Sequence, residues 1–358
     1  MARAVAMESY SIAHVVATAS RCAVGLSAAT AAAAVRARVS MLMEHPFLVD
    51  SNGERVVCAR EPTIDPTITG TPRLIQLAAN GLYEILSNLA AANALPANLH
   101  ILIALPEPRP GFARHDAIEV QESVAAFLQR QVTSVRVSLI GEGHAGALLA
   151  IRAAVEQLAA GRAELILAGG IDSYLQPRTI EWLDGGQRLL RDNIRAGFPP
   201  GEGAAFVAIA SEAACNRWGL QSLAVIRAVA CSQELRDPNS EVGLLGEGLT
   251  EVVEITTRGL ESPREMISDL YGDINGERAR TDDWGFTLMR LASRFDDGTR
   301  YVSTVGQCGD VGAATPALGC VLAVDAWRVD RASGPRALVW AGSWSGLRAA
   351  AVLEKATA

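Results

Sequence analysis

Short runs of apolar residues alternate along the chain with longer segments in which apolar positions recur at helical spacing. The short runs predict buried strands, and the longer segments predict amphipathic helices. Strands and helices that alternate in this way are typical of an α/β fold. In the first half of the chain the pattern predicts strands over Ile12–Ala19, Leu99–Leu105, Val135–Ile140, Leu165–Ala168 and Ala204–Ile209, and helices over Ser27–Ala37, Pro72–Ala91, Ala117–Gln131 and Gly146–Ala160.

The second half of the chain repeats this order of elements. We therefore predict two similarly built halves, residues 1–218 and 219–358, which share one compact unit because no low-complexity linker separates them. Two long stretches, Glu44–Thr71 and Arg178–Gly201, are predicted to be irregular and to cover a site or a dimer interface. In the second half we predict strands over Ala224–Ala230, Met266–Leu270, Tyr301–Thr304, Gly319–Val324 and Ala337–Ala341, and helices over Thr250–Arg258, Asp283–Phe295 and Ala313–Leu318.

A tight turn with a histidine at its tip joins the strand that ends at Ile140 to the next helix. The turn reads Gly141-Glu142-Gly143-His144 and opens directly into an alanine-rich helix. A side chain at this position lies at a helix N-terminus, where the helix dipole and free N–H groups favour negative charge. Enzymes use an elbow of this kind to present a nucleophile. Here the residue at the tip is a histidine, and neither a serine nor a cysteine.

Composition and net charge limit the kinds of binding partner that the protein is expected to have. The formal net charge of −7 argues against nucleic acid and against an anionic membrane surface. The six cysteines show no Cys-x-x-Cys spacing, so they are expected to be reduced, mostly buried thiols. Charged residues interrupt every apolar run long enough to cross a bilayer. We expect a cytoplasmic protein that binds neither nucleic acid nor membrane.

No metal or cofactor is expected. The five histidines show no paired spacing, and no His-Glu-x-x-His or Walker sequence occurs. Gly141-x-Gly143-x-x-Gly146 matches the dinucleotide pattern literally, between a strand and a helix. That fingerprint also requires an acid at the end of the next strand, where this chain has Ala168-Gly169-Gly170.

Several further blocks stand in order around the elbow. Taken together, they resemble the β-ketoacyl synthases of the thiolase superfamily over nearly the whole chain, and Gly201-Glu202-Gly203-Ala204 is the most specific part. The blocks are Ala168-Gly169-Gly170, the segment from Asp192 to Ala205 that contains Arg195, Gly197 and Phe198, Tyr271–Arg278, Ser303–Ala314, and Gly342-Ser343-Trp344-Ser345-Gly346.

This resemblance implies a thiolase fold, five-layer αβαβα with two similar halves, and an intimate dimer. Members of the family join acyl chains through a cysteine, which carries the acyl group as a thioester, and two histidines, which assist decarboxylation and stabilise the enolate. The cysteine position falls on His144, the first histidine on Asn275 and the second on Asp310. The lysine that normally precedes the second histidine falls on Val305.

The three exchanges change the chemistry. A thioester requires a thiolate, whereas an acyl-imidazole hydrolyses readily. Asn275 can donate a hydrogen bond but cannot relay a proton. Asp310 places negative charge where an enolate should develop, which opposes condensation unless the carboxylate is neutral or paired. Standard condensation is therefore not expected.

Several candidate site residues have more than one possible role. His144 is a packed relic in a silent pocket, a ligand-binding residue in a surviving acyl pocket, or a general base or acyl acceptor that Asp310 orients. Phe198, Trp344 and Gly309 are candidate substrate-binding positions, although aromatic side chains near glycine loops are often packing residues. We expect Glu202 to make structural hydrogen bonds, Cys308 to be a packed thiol or a displaced nucleophile, and Glu277–Asp283 to be a solvated loop at the pocket mouth.

Two classes of function follow. The first is a non-condensing pseudoenzyme that acts as a binding or assembly partner, either beside an active synthase, as chain-length-factor subunits do, or beside type VI secretion effectors. The second is an acyltransferase or acyl-thioester hydrolase that acts through His144 and Asp310. Expected partners are a second copy, an active synthase or another complex, and an acyl carrier protein or acyl-coenzyme A.

Overall fold

The computed structural model describes residues 13–191, 193–236 and 243–357. Ile12, at the start of the predicted opening strand, and Asp192, at the start of the second block, lie outside the described residues. The strands are β1 (Ala13–Cys22), β2 (Leu42–Val49), β3 (Arg55–Ala59), β4 (Asn98–Ala104), β5 (Ser134–Ile140), β6 (Leu165–Ser173), β7 (Glu202–Ser211), β8 (Ala224–Gln233), β9 (Asp269–Gly272), β10 (Tyr301–Val302), β11 (Arg336–Gly342) and β12 (Leu347–Lys355).

The helices alternate with these strands, as the apolar pattern predicts. They are α1 (Ala28–Arg36), α2 (Gly70–Ala91), α3 (Arg114–Leu128), α4 (Gly146–Ala159), α5 (Pro177–Gly185), α6 (Glu212–Trp218), α7 (Glu247–Thr257), α8 (Arg278–Leu291), α9 (Val305–Cys308) and α10 (Thr315–Arg328).

The two halves share one strand order. The large sheet runs β10-β9-β11-β12-β8-β1-β7-β6-β4-β5. When the strands of each half are numbered along the chain, with β2 and β3 set aside, both halves read 3-2-4-5-1. The halves meet through their first strands, where Ala13–Val15 pairs antiparallel with Ala224–Ile226. The β2–β3 hairpin forms a separate small sheet.

Helices cover the sheet in layers. The middle layer contains α4 and α10, which contact each other and strands of both halves. On the outer faces, α2 and α3 cover the first half and α7 and α8 cover the second. Separate apolar clusters fill the middle and each outer face. The predicted five-layer αβαβα order with two similar halves is therefore confirmed.

One strand prediction is wrong. The apolar run Gly319–Val324 lies inside α10, in which every side chain from Pro316 to Trp327 is buried. A helix that is buried on all sides has the same continuous apolar run as a buried strand, so periodicity cannot separate the two. The closing strand of the second half is β12 instead, and it pairs with β11 and β8.

The two stretches predicted to be irregular contain regular elements. Glu44–Thr71 contains most of the β2–β3 hairpin, and Arg178–Gly201 contains most of α5. Side chains from both stretches form one small apolar cluster with the end of β6. This cluster holds Leu48, Val56, Tyr174, Leu183 and Phe198 together beside the site.

Within the described part of the chain, no helix combines the length and the apolar character that a bilayer crossing requires.

Candidate functional site

The elbow forms where the sequence predicts it. After β5, a short 3₁₀ turn of Gly143–Ala145 leads into α4. Gly143 has φ +59°, and a Cβ atom there would lie 2.7 Å from Glu107 Oε2, so the turn requires glycine. His144 is buried, with 3% of its surface exposed. The tip of the elbow therefore points into the protein interior.

His144 contacts a carboxylate from the other half of the chain. Its Nε2 lies 2.8 Å from Asp310 Oδ1 and 3.1 Å from Oδ2. Its Nδ1 lies 3.2 Å from Arg280 Nη2. A guanidinium can only donate, so Nδ1 accepts and the ring proton lies on Nε2, toward Asp310. Both ring nitrogens of His144 are thus occupied.

Asn275 completes the network. Its Nδ2 donates to Asp310 Oδ2 at 2.7 Å and to Glu277 Oε2 at 3.0 Å. Its Oδ1 accepts from the Glu277 backbone N–H at 3.0 Å, and the Gly312 N–H donates to Asp310 Oδ1 at 2.8 Å. The structure therefore brings together the three residues His144, Asn275 and Asp310, as the sequence predicts.

Neighbouring side chains keep Asp310 and Arg280 in their charged forms. Burial alone would raise the pKa of the Asp310 carboxyl, but His144, Arg280 and Asn275 together hold that pKa well below its usual range. Asp310 is therefore ionised at neutral pH. Burial alone would lower the pKa of Arg280, but Asp273, Asp310 and Glu277 raise it above its usual range, so the guanidinium stays charged.

The expectation of a solvated loop at Glu277–Asp283 is wrong in part, because the segment forms the start of a helix with one buried face, whereas Arg278 and Thr281 are exposed. Glu277, Arg280 and Asp283 are 5–9% exposed and lie at or near the start of α8. Arg280 pairs with Asp273 and donates to the Gly342 carbonyl at 2.8 Å. The sequence holds a signal for this, because these charges recur at a spacing of three, which places them on neighbouring positions of one helix face.

A cavity of about 280 Å³ lies beside the network. Arg280 and Asp273 line it, whereas His144 does not. Deeper in the wall, Arg348 Nε donates to Asp283 Oδ2 at 2.5 Å. Burial raises the pKa of Asp283 to about 6, against the lowering effect of Arg348. Arg280 thus forms a charged wall between the cavity and the imidazole.

The loop Gly342–Gly346 fixes the mouth of this cavity to the elbow. Ser343 Oγ accepts from the Ala145 N–H at 2.9 Å. The backbone N–H groups of Trp344 and Ser345 donate to Glu107 at 2.9 and 2.6 Å. The Arg188 guanidinium lies 3.8 Å from the centre of the Trp344 ring, which lines the cavity and is 39% exposed.

The other candidate positions lie around this core. Phe198 is fully buried and packs edge-on against Tyr174, with ring centroids 5.4 Å apart. Gly309 has φ +66°, and a Cβ atom there would lie 2.8 Å from the Pro200 carbonyl oxygen. Gly309 therefore lets two backbone segments approach closely, and Asp310 N–H donates to the Pro199 carbonyl at 2.9 Å.

Glu202 and Cys308 are buried and make contacts that stabilise the fold. Glu202 accepts from Arg73 Nε at 2.5 Å, from Ser173 Oγ at 2.8 Å and from the Glu61 N–H at 2.7 Å. Cys308 is fully buried at the end of α9, and its hydrogen bond with the Cys22 thiol, together with burial, raises its pKa far above the usual range. Among the described residues, no group of His, Cys, Asp and Glu side chains could hold a metal ion.

Residues 143–214, which begin at the elbow, match the family model of the β-ketoacyl synthase N-terminal domain. No curated protein has a matching sequence. Solved structures match nearly the whole chain. One is a chain of a type II polyketide synthase complex, AntDE:AntF, of an acyl carrier protein with its ketosynthase bound to the hexaketide. It has a TM-score of 0.80 and 14% identity over 97% of this chain and 100% of that one.

Two further structures are similar. The ishigamide ketosynthase/chain length factor has a TM-score of 0.79 and 14% identity, with 97% of this chain and 100% of that chain covered. The ketosynthase from module 6 of the bacillaene synthase of Bacillus subtilis 168 has a TM-score of 0.74 and 13% identity, with 97% and 72% covered. The predicted ketosynthase-like thiolase fold is therefore confirmed.

Proposed function

We propose that this protein, whose fold is that of the ketosynthases, does not condense acyl chains and acts as a binding or assembly partner. The observation that carries this proposal is the closed network at the elbow. Both ring nitrogens of His144 are bonded, Nε2 to Asp310 and Nδ1 to Arg280. The position that should carry the acyl group thus holds a buried and fully bonded imidazole.

The first half-reaction of a condensation lacks its acceptor. Covalent transfer of an acyl group requires an unprotonated nucleophile with a free lone pair. The lone pair of His144 Nδ1 accepts from Arg280, and Nε2 carries the ring proton. An acyl donor in the cavity would meet Arg280 first, because that side chain forms the wall.

The second half-reaction lacks a stabilised enolate. The ionised Asp310 carboxylate would raise the energy of a neighbouring enolate oxygen. Asn275 cannot offset this, because its Nδ2 has two hydrogens and both are donated, one to Asp310 and one to Glu277. The Asn275 side chain, at the position of the first family histidine, therefore has no N–H left for an enolate.

A partner role is supported by the outer edge of the sheet. β5 is the last strand in the sheet order, so one of its edges has no strand beside it among the described residues. An unpaired edge is a ready template for a strand of another chain. β5 also runs directly into the elbow. We propose that a second thiolase-fold chain pairs here, either a copy of this protein or an active synthase, as in a ketosynthase/chain-length-factor pair.

The test of the non-condensing role is intact mass together with thiol release, after incubation with acetyl-, longer acyl- and malonyl-coenzyme A. We expect no mass increase and no thiol release above the rate in buffer. His144→Ala is measured in parallel, with His100→Ala as a matched control, because His100 is a half-buried histidine bonded to Ser138 outside the site. An adduct or turnover that His144→Ala abolishes and His100→Ala retains would refute the proposal.

A second candidate function rests on the 2.8 Å contact between His144 and Asp310, which has the geometry of a base and its orienting acid. In a thioester hydrolase, His144 Nδ1 would take a proton from water as the oxygen attacks the thioester carbon. The carbon–sulfur bond would then break, and the thiolate would receive that proton. This requires Arg280 to leave Nδ1. Turnover that is lost in His144→Ala would favour this function over the partner role.

A further inference from the structure

Two thiols, one from each half of the chain, lie in contact below the surface. Cys22 ends β1 in the first half, and Cys308 ends α9 in the second. The two thiols are hydrogen-bonded to each other, and their residues are 1% and 0% exposed. Neither lines the cavity beside His144. The proposed function therefore makes no use of this pair of thiols.

The fold itself brings the two cysteines together around the start of β7. Gly203 pairs with Cys22 across the sheet. A Cβ atom at Gly203 would lie 3.4 Å from Cys22 Cβ and 3.5 Å from Val311 Cγ1. A Cβ atom at Gly201 would lie 2.2 Å from the Cys308 carbonyl oxygen. The end of β1 and the segment that begins at Cys308 thus pack on the same short piece of backbone, which glycine makes narrow enough for both.

Cys22 differs from the other thiols of the chain. The Cys308 thiol donates to Cys22, and so do the backbone N–H groups of Val24 and Gly25; these bonds lower the pKa of the Cys22 thiol although it is buried. Burial raises the pKa of the four thiols outside the pair, which are Cys58, Cys215, Cys231 and Cys320. Because the thiolate is the nucleophilic form, Cys22 is the thiol best prepared to react with an oxidant.

The pair lies directly beneath two short surface segments. Leu26, in the turn that follows Cys22, is 41% exposed, and Gly306, within α9, is also exposed. α9 has only four residues, and so short a helix opens locally at little cost. Such an opening admits a small uncharged oxidant such as hydrogen peroxide.

We propose that Cys22 and Cys308 form a reversible disulfide in response to peroxide, which locks the two halves of the chain together. The Cys22 thiolate attacks one peroxide oxygen and the O–O bond breaks, so that Cys22 is oxidised to a sulfenic acid and hydroxide leaves. The Cys308 sulfur then attacks the Cys22 sulfur, the S–O bond breaks and water leaves, with the Cys308 proton neutralising the hydroxide. In sum, two thiols and one peroxide give one disulfide and two waters.

The bond would stabilise the fold. Most of the chain lies between Cys22 and Cys308, and a disulfide that closes a long loop restricts the unfolded chain strongly. In the folded protein it would also tie the end of β1 to α9, across the two halves. The reduced and oxidised proteins should therefore differ in resistance to unfolding.

The test treats the folded full chain with hydrogen peroxide, blocks the remaining thiols in denaturant with iodoacetamide, and maps the disulfides by non-reducing peptide mass spectrometry. We expect Cys22–Cys308 to be the predominant disulfide and dithiothreitol to reverse it. The melting temperature of the oxidised protein should be higher by about 3–6 °C. This measurement needs only the natural protein, so it does not depend on the folding of any variant.

Three variants assign the roles of the two thiols. In Cys308→Ala, we expect peroxide to add one oxygen atom to Cys22 and to form no disulfide there. In Cys22→Ala, we expect Cys308 to stay reduced, because its pKa is raised far above the usual range. Cys320→Ala is the matched control, because Cys320 is equally buried but lies in α10, and its loss should leave the rate of disulfide formation unchanged.

Three results would overturn the proposal. The first is that the folded protein forms no Cys22–Cys308 disulfide, or forms it no faster than the other four thiols are oxidised. The second is a disulfide that leaves the melting temperature unchanged. The third is oxidation of Cys308 in Cys22→Ala as fast as that of Cys22 in Cys308→Ala. None of these results bears on the proposed partner role, which rests on the residues around His144 and on β5.

Discussion

The Arg280 side chain lies between the cavity and His144, and it donates to the ring nitrogen that a general base would need. Its own charge is fixed by Asp273 and Glu277. An arginine held on three sides in this way cannot swing out without leaving a buried carboxylate unpaired. Whether His144 reacts with anything is therefore decided by Arg280.

Replacement of Arg280 by methionine should expose the imidazole. Diethyl pyrocarbonate acylates an unprotonated ring nitrogen, so we expect His144 of the natural protein to resist it and His144 of Arg280→Met to react at least about tenfold faster. The measurement is the rate of modification at His144 by peptide mass spectrometry.

His115, whose side chain is 82% exposed, serves as the internal control and should react equally fast in both proteins. Equal rates at His144 would show that Arg280 does not block Nδ1. The loss of a buried partner for Asp273 is expected to destabilise the fold. Arg280→Lys, which keeps a cation beside Asp273, is therefore measured as well.

His45 predicts a pH dependence of stability that is independent of the elbow. Its Nδ1 accepts from the N–H groups of Phe47 and Leu48, and burial together with Arg60 and Arg73 lowers its pKa from 6.5 to about 4. The neutral ring is favoured in the folded state. Its contribution to stability is therefore complete above pH 6.5 and is lost as the pH falls toward 4.

We expect the free energy of unfolding to fall by about 1–2 kcal/mol over this range because of His45, after allowance for solvent screening. His45→Asn keeps an acceptor near Nδ1 but does not titrate, so its stability should change less between pH 7 and pH 4.5. Denaturant melts at both pH values measure the difference, with His115→Asn as the control. A parallel pH dependence of the natural protein and His45→Asn would contradict this assignment.

At the scale of elements, the edge strand β5 carries the proposed pairing. Residues 134–140 pair in parallel with β4 on one side, and no described strand lies on the other. Backbone N–H groups alternate between the two edges of a strand, so one of two neighbouring residues donates outward. A proline at the outward position removes an intermolecular bond and leaves the sheet intact.

Of Val135→Pro and Arg136→Pro, one therefore removes an N–H group from the outer edge of β5, and the other removes an N–H group that faces β4. We expect one of them to keep the melting temperature but to weaken dimerisation at least about tenfold, as measured by light scattering across a dilution series. Arg136→Ala, which retains the N–H group, should leave the dimer unchanged. A natural protein that is monomeric, alone and mixed with a candidate synthase, would contradict pairing at this edge.

Some elements were predictable from the sequence and others were not, for physical reasons. Alternating strands and helices and the elbow before α4 follow from local pattern, because each is a signal within one segment. The sequence pattern splits α10 into a predicted helix and a predicted strand, because the apolar run of this helix has no polar face. The role of Arg280 depends on its contact with His144, which lies 136 positions away in the other half. Such contacts leave no mark in a local window.

At the scale of the whole molecule, the halves share their middle layer. α4 and α10 each contact strands of both halves, so each half alone would expose the apolar faces that these helices cover. The division into residues 1–218 and 219–358 remains a prediction of two similarly built halves. It does not describe two independent folding units.

We expect neither half to fold when it is expressed alone. Residues 1–218 and residues 219–358 should each lack a cooperative thermal transition and a dispersed amide spectrum, whereas the full chain unfolds in one transition. Mixing the two halves should restore part of the cooperative transition, since the missing face is then supplied. A cooperative transition of either isolated half would contradict the shared middle layer.

The His144–Asp310 contact joins the two halves: His144 lies in the short turn that leads into α4, and Asp310 lies just before the corresponding turn that leads into α10. The two residues are separated by 166 positions in the chain and by 2.8 Å in space. A change at one of them removes a hydrogen bond from the other, which is buried and polar, so each substitution favours a second one in the opposite half. Over evolutionary time, relatives that differ at position 144 are expected to differ at position 310 as well, so that substitutions in the two halves occur together.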